Sequence, residues 1–188
     1  MNNLYETFQN LGLSAEQTEK LSNVFKHTVK LKKGDFFHQN TQICNKIGFL
    51  ESGMLRYFYD TEKNDFTRWV ALESDFVTSL GSFISHKCVP ENIQAIQPCK
   101  IIYANRDDWN MIYQEEDFVR EFWTKAMEEN YIGMENRLFN MIALSAEARY
   151  DWILKNYPKF NLYIPDKYLA SMLGITPRHL SRIRGMRK

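Results

Sequence analysis

The hydrophobic pattern of this chain changes period near Arg106. From His27 to Ala104 apolar residues come in short Ile-, Val- and aromatic-rich runs broken by turn residues. "HTVKLKKGDFF" alternates and then meets Lys33-Gly34-Asp35, and "KIGFLESGMLRYFYD" is two apolar runs split by Ser52-Gly53. Such runs read as short strands joined by tight turns, and several of them in series predict a small β-barrel or jelly roll. From Arg106 onward the steps are three or four residues, the spacing of a helix face. Strands and helices kept in separate blocks make the chain α+β. Ahead of the strands, Leu4, Phe8, Leu11, Leu21, Val24 and Phe25 fall near helical spacing, and "SAEQ" from Ser14 to Gln17 is a capping box opening a second short helix.

The content supports a packed core: 44% of the 188 residues are hydrophobic and 14% aromatic. No apolar run approaches the roughly 18–20 residues that a membrane helix needs. The start, "MNNLYETFQN", lacks a basic segment followed by an apolar stretch, so no signal peptide is expected. Cys44, Cys88 and Cys99 are odd in number and widely spaced, which suits a reducing compartment. The expectation is a cytoplasmic protein with no membrane partner.

Within the helical block, Asp107 or Asp108 can cap a short helix through Tyr113. A long helix is predicted from Glu115 to about Ile142, with Phe118, Phe122, Ala126, Met134, Leu138 and Met141 on a broad apolar face and Glu115, Glu116 and Asp117 at its dipole-positive start. At 1.5 Å per residue it would be roughly 42 Å long, more than a small barrel covers. A matching helix from a second copy is the economical partner, so a homodimer through residues 115–142 is expected. The alternatives are one helix lying over its own core, or two broken at Gly133. A further helix starts at Ser145 and ends before Pro158.

The last stretch, "DKYLASMLGITPRHLSRIRGMRK", is the most basic. Lys167, Arg178, Arg182, Arg184, Arg187 and Lys188 oppose only Asp166, a net +5; with +1 for the whole chain, the remainder carries −4. A basic end on a mildly acidic body is what local phosphate binding needs, although terminal basic runs are also common as solvated tails. Asp166 suits the cap of a helix from Lys167 to about Leu173. Gly174 suits the positive φ of a chain leaving that helix, Thr176 caps the next helix and Pro177 takes its first position. Leu169, Leu173, Ile175, Leu180 and Ile183 form the buried side, and Ala170 sits at the crossing. This is the helix-turn-helix plan. Thr176, Arg178, His179, Ser181, Arg182 and Arg184 are assigned to the outward face of the second helix, where arginine can donate two bonds to guanine and the helix start can bind phosphate. Lys167, Arg187 and Lys188 are assigned to backbone phosphate.

"YLASMLGITPRHLSRIR" resembles the helix-turn-helix of the Crp/Fnr superfamily, the relatives of the cyclic AMP receptor protein. "LKKGDFFHQNTQICNKIGFLESGMLRYFYD" is similar to that family's cyclic-nucleotide-binding jelly roll, and the long helix to its dimerisation helix. The resemblance covers almost the whole chain. It implies an N-terminal sensor domain over residues 1–114, a dimerisation helix over 115–143 and a DNA-binding domain over 144–188. It also implies a homodimeric, non-enzymatic transcription regulator of double-stranded DNA, with RNA polymerase as a further candidate partner.

Departures from the family pattern set further expectations. The family's phosphate-binding cassette has Gly-Glu and then Arg followed by Ser or Thr. The comparable segment here, "GSFISHKCVPENIQAI", has Gly81-Ser82 and then about Pro90-Glu91, with Lys87 the only nearby cation. A buried cyclic phosphate needs a cation, and Glu91 would repel it, so no tight cyclic AMP binding is expected and the effector stays open. Three scattered cysteines do not supply an iron–sulfur cluster, and His27, His38, His86 and His179 show no metal spacing, so no cofactor or metal is expected. The competing reading is a small-molecule-binding or cupin-like jelly roll whose terminal hairpin is only structural. Family members often add a β-hairpin wing after the recognition helix, and here only Gly185 to Lys188 follow, so either the wing is absent or the sequence is truncated.

Overall fold

The computed structural model describes residues 3–62 and 64–186, and in it strand gives way to helix where the sequence changes period. Helices α1 (Asn3–Asn10) and α2 (Ala15–Ser22) come first. The capping box closes as expected: Ser14 Oγ accepts from Gln17 N at 3.2 Å, and Gln17 Oε1 accepts from Ser14 N at 2.9 Å.

The strands are β1 (His27–Leu31), β2 (Phe36–His38), β3 (Lys46–Ser52), β4 (Leu55–Asp60), β5 (Asp65–Ala71), β6 (Phe76–Val77), β7 (Glu91–Ala95) and β8 (Cys99–Asn105), with helix α3 (Leu80–Ser85) between β6 and β7. They form two four-stranded sheets, ordered β1-β8-β3-β6 and β2-β7-β4-β5. The first strand of the block pairs antiparallel with the last, His27 opposite Tyr103, and the second with the last but one. That wrapping is the jelly-roll arrangement expected from the strand-rich run. Gly53 shows why the Ser52-Gly53 break is needed. Its φ is +102°, and an added Cβ would lie 2.4 Å from the Pro98 carbonyl oxygen.

One core cluster joins α1, α2 and the barrel to the helices after it. Phe8 is fully buried, with its ring 5.4 Å from Phe76 and 5.7 Å from Phe122. Burying such a ring stabilises the fold by about 2–3 kcal/mol. The barrel interior is a second cluster that includes Leu50, Leu55, Val77, Ile93 and Ile101.

The helical block comprises α4 (Arg106–Glu115), α5 (Asp117–Ala143), α6 (Ala146–Asn156), α7 (Pro158–Tyr163), α8 (Asp166–Met172) and α9 (Pro177–Gly185). The chain divides into two compact units. One takes the chain up to Asp65 with Trp69–Trp123; the other takes Thr124 onward with the short segment Phe66–Arg68. Among the described residues no helix is long and apolar enough to cross a membrane.

Several boundaries differ from the sequence expectation. The cap of α4 is Asn105, not Asp107 or Asp108; Asp108 pairs instead with Lys26 at 2.8 Å. The long helix starts at Asp117, because Glu116 takes an extended conformation and ends α4. Arg120 in the first turn of α5 donates to the Tyr113 and Gln114 carbonyls at 2.8 Å each, satisfying the end of α4. Helix α5 runs unbroken through Gly133. Pro158 both follows α6 and opens the unforeseen α7, where its missing N–H is harmless. The residue capping α8 is Pro165, and Asp166 lies inside the first turn. Cys44 and Cys99 are buried, whereas Cys88 is exposed.

Candidate nucleic-acid interface

The last two helices are joined by a turn whose geometry follows from four residues. Leu173 ends α8, and Gly174 then takes φ +66°, the left-handed conformation that residues with a Cβ avoid. Ile175 N donates back to the Ala170 carbonyl at 3.0 Å, closing the turn. Thr176 is the cap of α9: its hydroxyl oxygen accepts from His179 N at 3.2 Å, and Pro177 follows at the first helical position. Leu169, Ala170, Leu173, Leu180 and Ile183 are buried as expected, and Ile175 is half-buried. Gly174 has a second reason to lack a side chain, since an added Cβ would meet Met141 Cε on α5 at 2.9 Å.

The outward face is smaller than the sequence reading made it. Thr176, Arg178, Ser181 and Arg182 are exposed. No ion pair among the described residues engages Arg178 or Arg182. His179 stands at the flank, half-buried, with Nε2 3.6 Å from the Glu147 carboxylate on α6. Glu147 titrates below the ordinary carboxylate range, chiefly through hydrogen bonds from its own backbone and from Ser145. Arg184 faces inward. It lies one turn beyond the buried Leu180, and its guanidinium donates to Tyr150 Oη (3.1 Å, α6), Asn161 Oδ1 (2.8 Å, α7) and Asp166 Oδ1 (2.7 Å, α8). Lys167 is exposed, its ammonium 4.6 Å over the Tyr168 ring. Arg187 and Lys188 lie outside the described residues.

The residues assigned to an effector pocket fall on two elements. Gly81 is exposed on α3, while the adjacent Ser82 is buried. The Ser82 hydroxyl accepts from Cys44 N at 2.9 Å and donates to the Lys87 carbonyl at 2.7 Å, so it is spent on the backbone. Pro90 is exposed, and Glu91 is buried in β7 opposite Tyr59. The sequence reading missed Arg106. Buried at the start of α4, it donates to the Phe83 and Cys44 carbonyls and touches His86, thereby holding α3 and the loop before β3. Its signal was a charged residue directly after the last strand-like segment, "CKIIYAN". Among the described residues no three His, Cys, Asp or Glu side chains gather as a metal site.

No family model matches the sequence, and no curated protein matches it. Solved structures do. FixK2 from Bradyrhizobium japonicum superposes with a TM-score of 0.73 at 13% identity, over 85% of this chain and 83% of its own. A mutant of CooA from Carboxydothermus hydrogenoformans gives 0.71 at 16% identity, over 87% and 77%. A protein from Eubacterium rectale described as a transcriptional regulator of the Crp/Fnr family gives 0.67 at 16% identity, over 95% and 85%. The chain has the Crp/Fnr-type fold.

Proposed function

We propose that this protein is a sequence-specific, DNA-binding transcription regulator that acts as a homodimer and reads double-stranded DNA with α9. The observation that carries the reading is the exposed face of Arg178, Ser181 and Arg182, presented from the capped start of the second helix of a helix-turn-helix. In that motif the N-terminal part of the second helix enters the major groove, where each arginine can take a guanine or a phosphate. The Crp/Fnr regulators with this fold support the assignment. The protein acts without catalysis, in the cytoplasm, with RNA polymerase as a further partner.

The dimer reading rests on α5. Tyr131, Ile132, Met134, Leu138, Phe139 and Ile142 each leave half or more of their surface accessible. At 100° per residue they fall on one half of the helix, and an exposed apolar face of that size marks an interface. The same half of a second copy is its proposed cover. In the barrel, the committed Ser82 hydroxyl and the buried Glu91 support an effector pocket that has lost the residues for cyclic AMP.

A gel shift against duplexes selected from a random pool tests the reading. Wild type should give a specific complex at moderate salt, and Arg178→Ala with Arg182→Ala should abolish it. No specific complex, or a double variant that binds as wild type, would refute it.

A further inference from the structure

We infer that Arg184 is a positioning residue: it fixes the angle at which α9 is presented and contacts neither base nor phosphate. The inference rests on the DNA-binding reading and narrows its contact set to Thr176, Arg178, Ser181 and Arg182, with Lys167 at the phosphates. The guanidinium has three donor groups committed to three oxygens on three different helices. Tyr150, which receives one of them, is itself buried and donates its own hydroxyl to Asn161 Oδ1 at 2.7 Å. One side chain of α9 is thus tied at once to α6, α7 and α8. Planar, forked donors suit this task, and a lysine would reach only one acceptor well. An arginine freed to meet DNA would give up its bonds to the hydroxyl of the buried Tyr150 and to Asn161 Oδ1, which would keep only the Tyr150 donor, and loosening a buried polar network in this way is costly.

The two roles differ in what DNA binding reads. A phosphate contact contributes about 0.9 to the slope of log K against log salt concentration, and a base contact shows as relaxed preference at one position. A positioning residue moves neither. Fluorescence anisotropy with the selected duplex over a salt series, followed by repeat selection, measures both. Arg184→Met should weaken binding by about tenfold, the factor for roughly 1.4 kcal/mol, with slope and base preference unchanged. Arg184→Lys, which keeps the charge, should not rescue. Tyr150→Phe and Asn161→Ala change no charge and should weaken binding in the same direction, with little added effect in the Arg184→Met background. Circular dichroism checks that each variant is folded, and the two neutral partner variants carry the test if Arg184→Met is not. A slope lowered by about 0.9, a relaxed base position, rescue by lysine, or partner variants that bind as wild type would overturn the role. A wild type with no specific complex would instead defeat the DNA reading itself.

Discussion

Alanine at Gly174 and alanine at Gly53 should differ in cost although both glycines have positive φ. At Gly174, φ is +66° and the new Cβ would lie 2.9 Å from Met141 Cε. The left-handed conformation costs a residue with a Cβ about 1–2 kcal/mol. The contact adds little, because the end of a methionine side chain can move aside. At Gly53, φ is +102° and the Cβ would lie 2.4 Å from the Pro98 carbonyl oxygen and 2.7 Å from Cys99 Cα. Those are backbone atoms at the entry to β8 and cannot retreat alone, so overpacking of about 1–3 kcal/mol adds to the conformational cost. Urea denaturation followed by circular dichroism should therefore give about 1–2 kcal/mol for Gly174→Ala and roughly 2–5 kcal/mol for Gly53→Ala. In a Met141→Ala background the cost of Gly174→Ala should fall by no more than a few tenths. Equal costs at the two sites would refute the reasoning. So would a Gly174→Ala protein as stable as wild type, since the turn would then not be left-handed.

Other outcomes follow from the same structure. Phe8→Ala empties the centre of an aromatic cluster and should cost about 3–5 kcal/mol in the same assay. Burial pushes the Cys44 thiol up, but hydrogen bonds from His38 and Thr78 and with the Lys46 and Ser79 backbone outweigh it and hold the thiol at about 7, below its ordinary 9.0. A depressed pKa stabilises the fold fully above the unfolded value and less as pH falls through the folded one, so the urea midpoint of wild type should drop between pH 9 and pH 7 by more than that of Cys44→Ala; parallel profiles would remove Cys44 as the cause. Leu138→Glu with Phe139→Glu places two carboxylates on the exposed half of α5 and should give a monomeric mass by light scattering where wild type is a dimer. Saturating cyclic AMP should leave the melting temperature unchanged, and a rise of several degrees would contradict the lost phosphate site.

Much of this was legible from local chemistry. The Ser14 capping box, the Ser52-Gly53 break, the Thr176 cap and the Gly174 turn each depend on residues within four positions of one another, and each formed as the sequence implies. What the sequence hid depends on distant partners. Asp166 looked like a cap until Arg184, 18 residues on, claimed its carboxylate. Arg184 was counted among the outward cations because it is basic and lies in a basic helix. Its spacing of one turn from Leu180 was a signal for the buried side that composition masked. Helix α7 was missed because a proline that follows one helix can also begin the next. The start of α5 shifted by two residues because Arg120 satisfies carbonyls that belong to the helix before it.

The most direct test of the central claim is selection of a DNA site by the wild-type protein, followed by binding of the Arg178→Ala, Arg182→Ala double variant to it. A homodimer presenting two copies of α9 should enrich an inverted repeat whose half-sites lie about one helical turn, roughly 34 Å, apart. The double variant should lose the specific complex while its fold is intact. A pool that enriches no site, or a double variant that holds the selected site as tightly as wild type, would contradict the account.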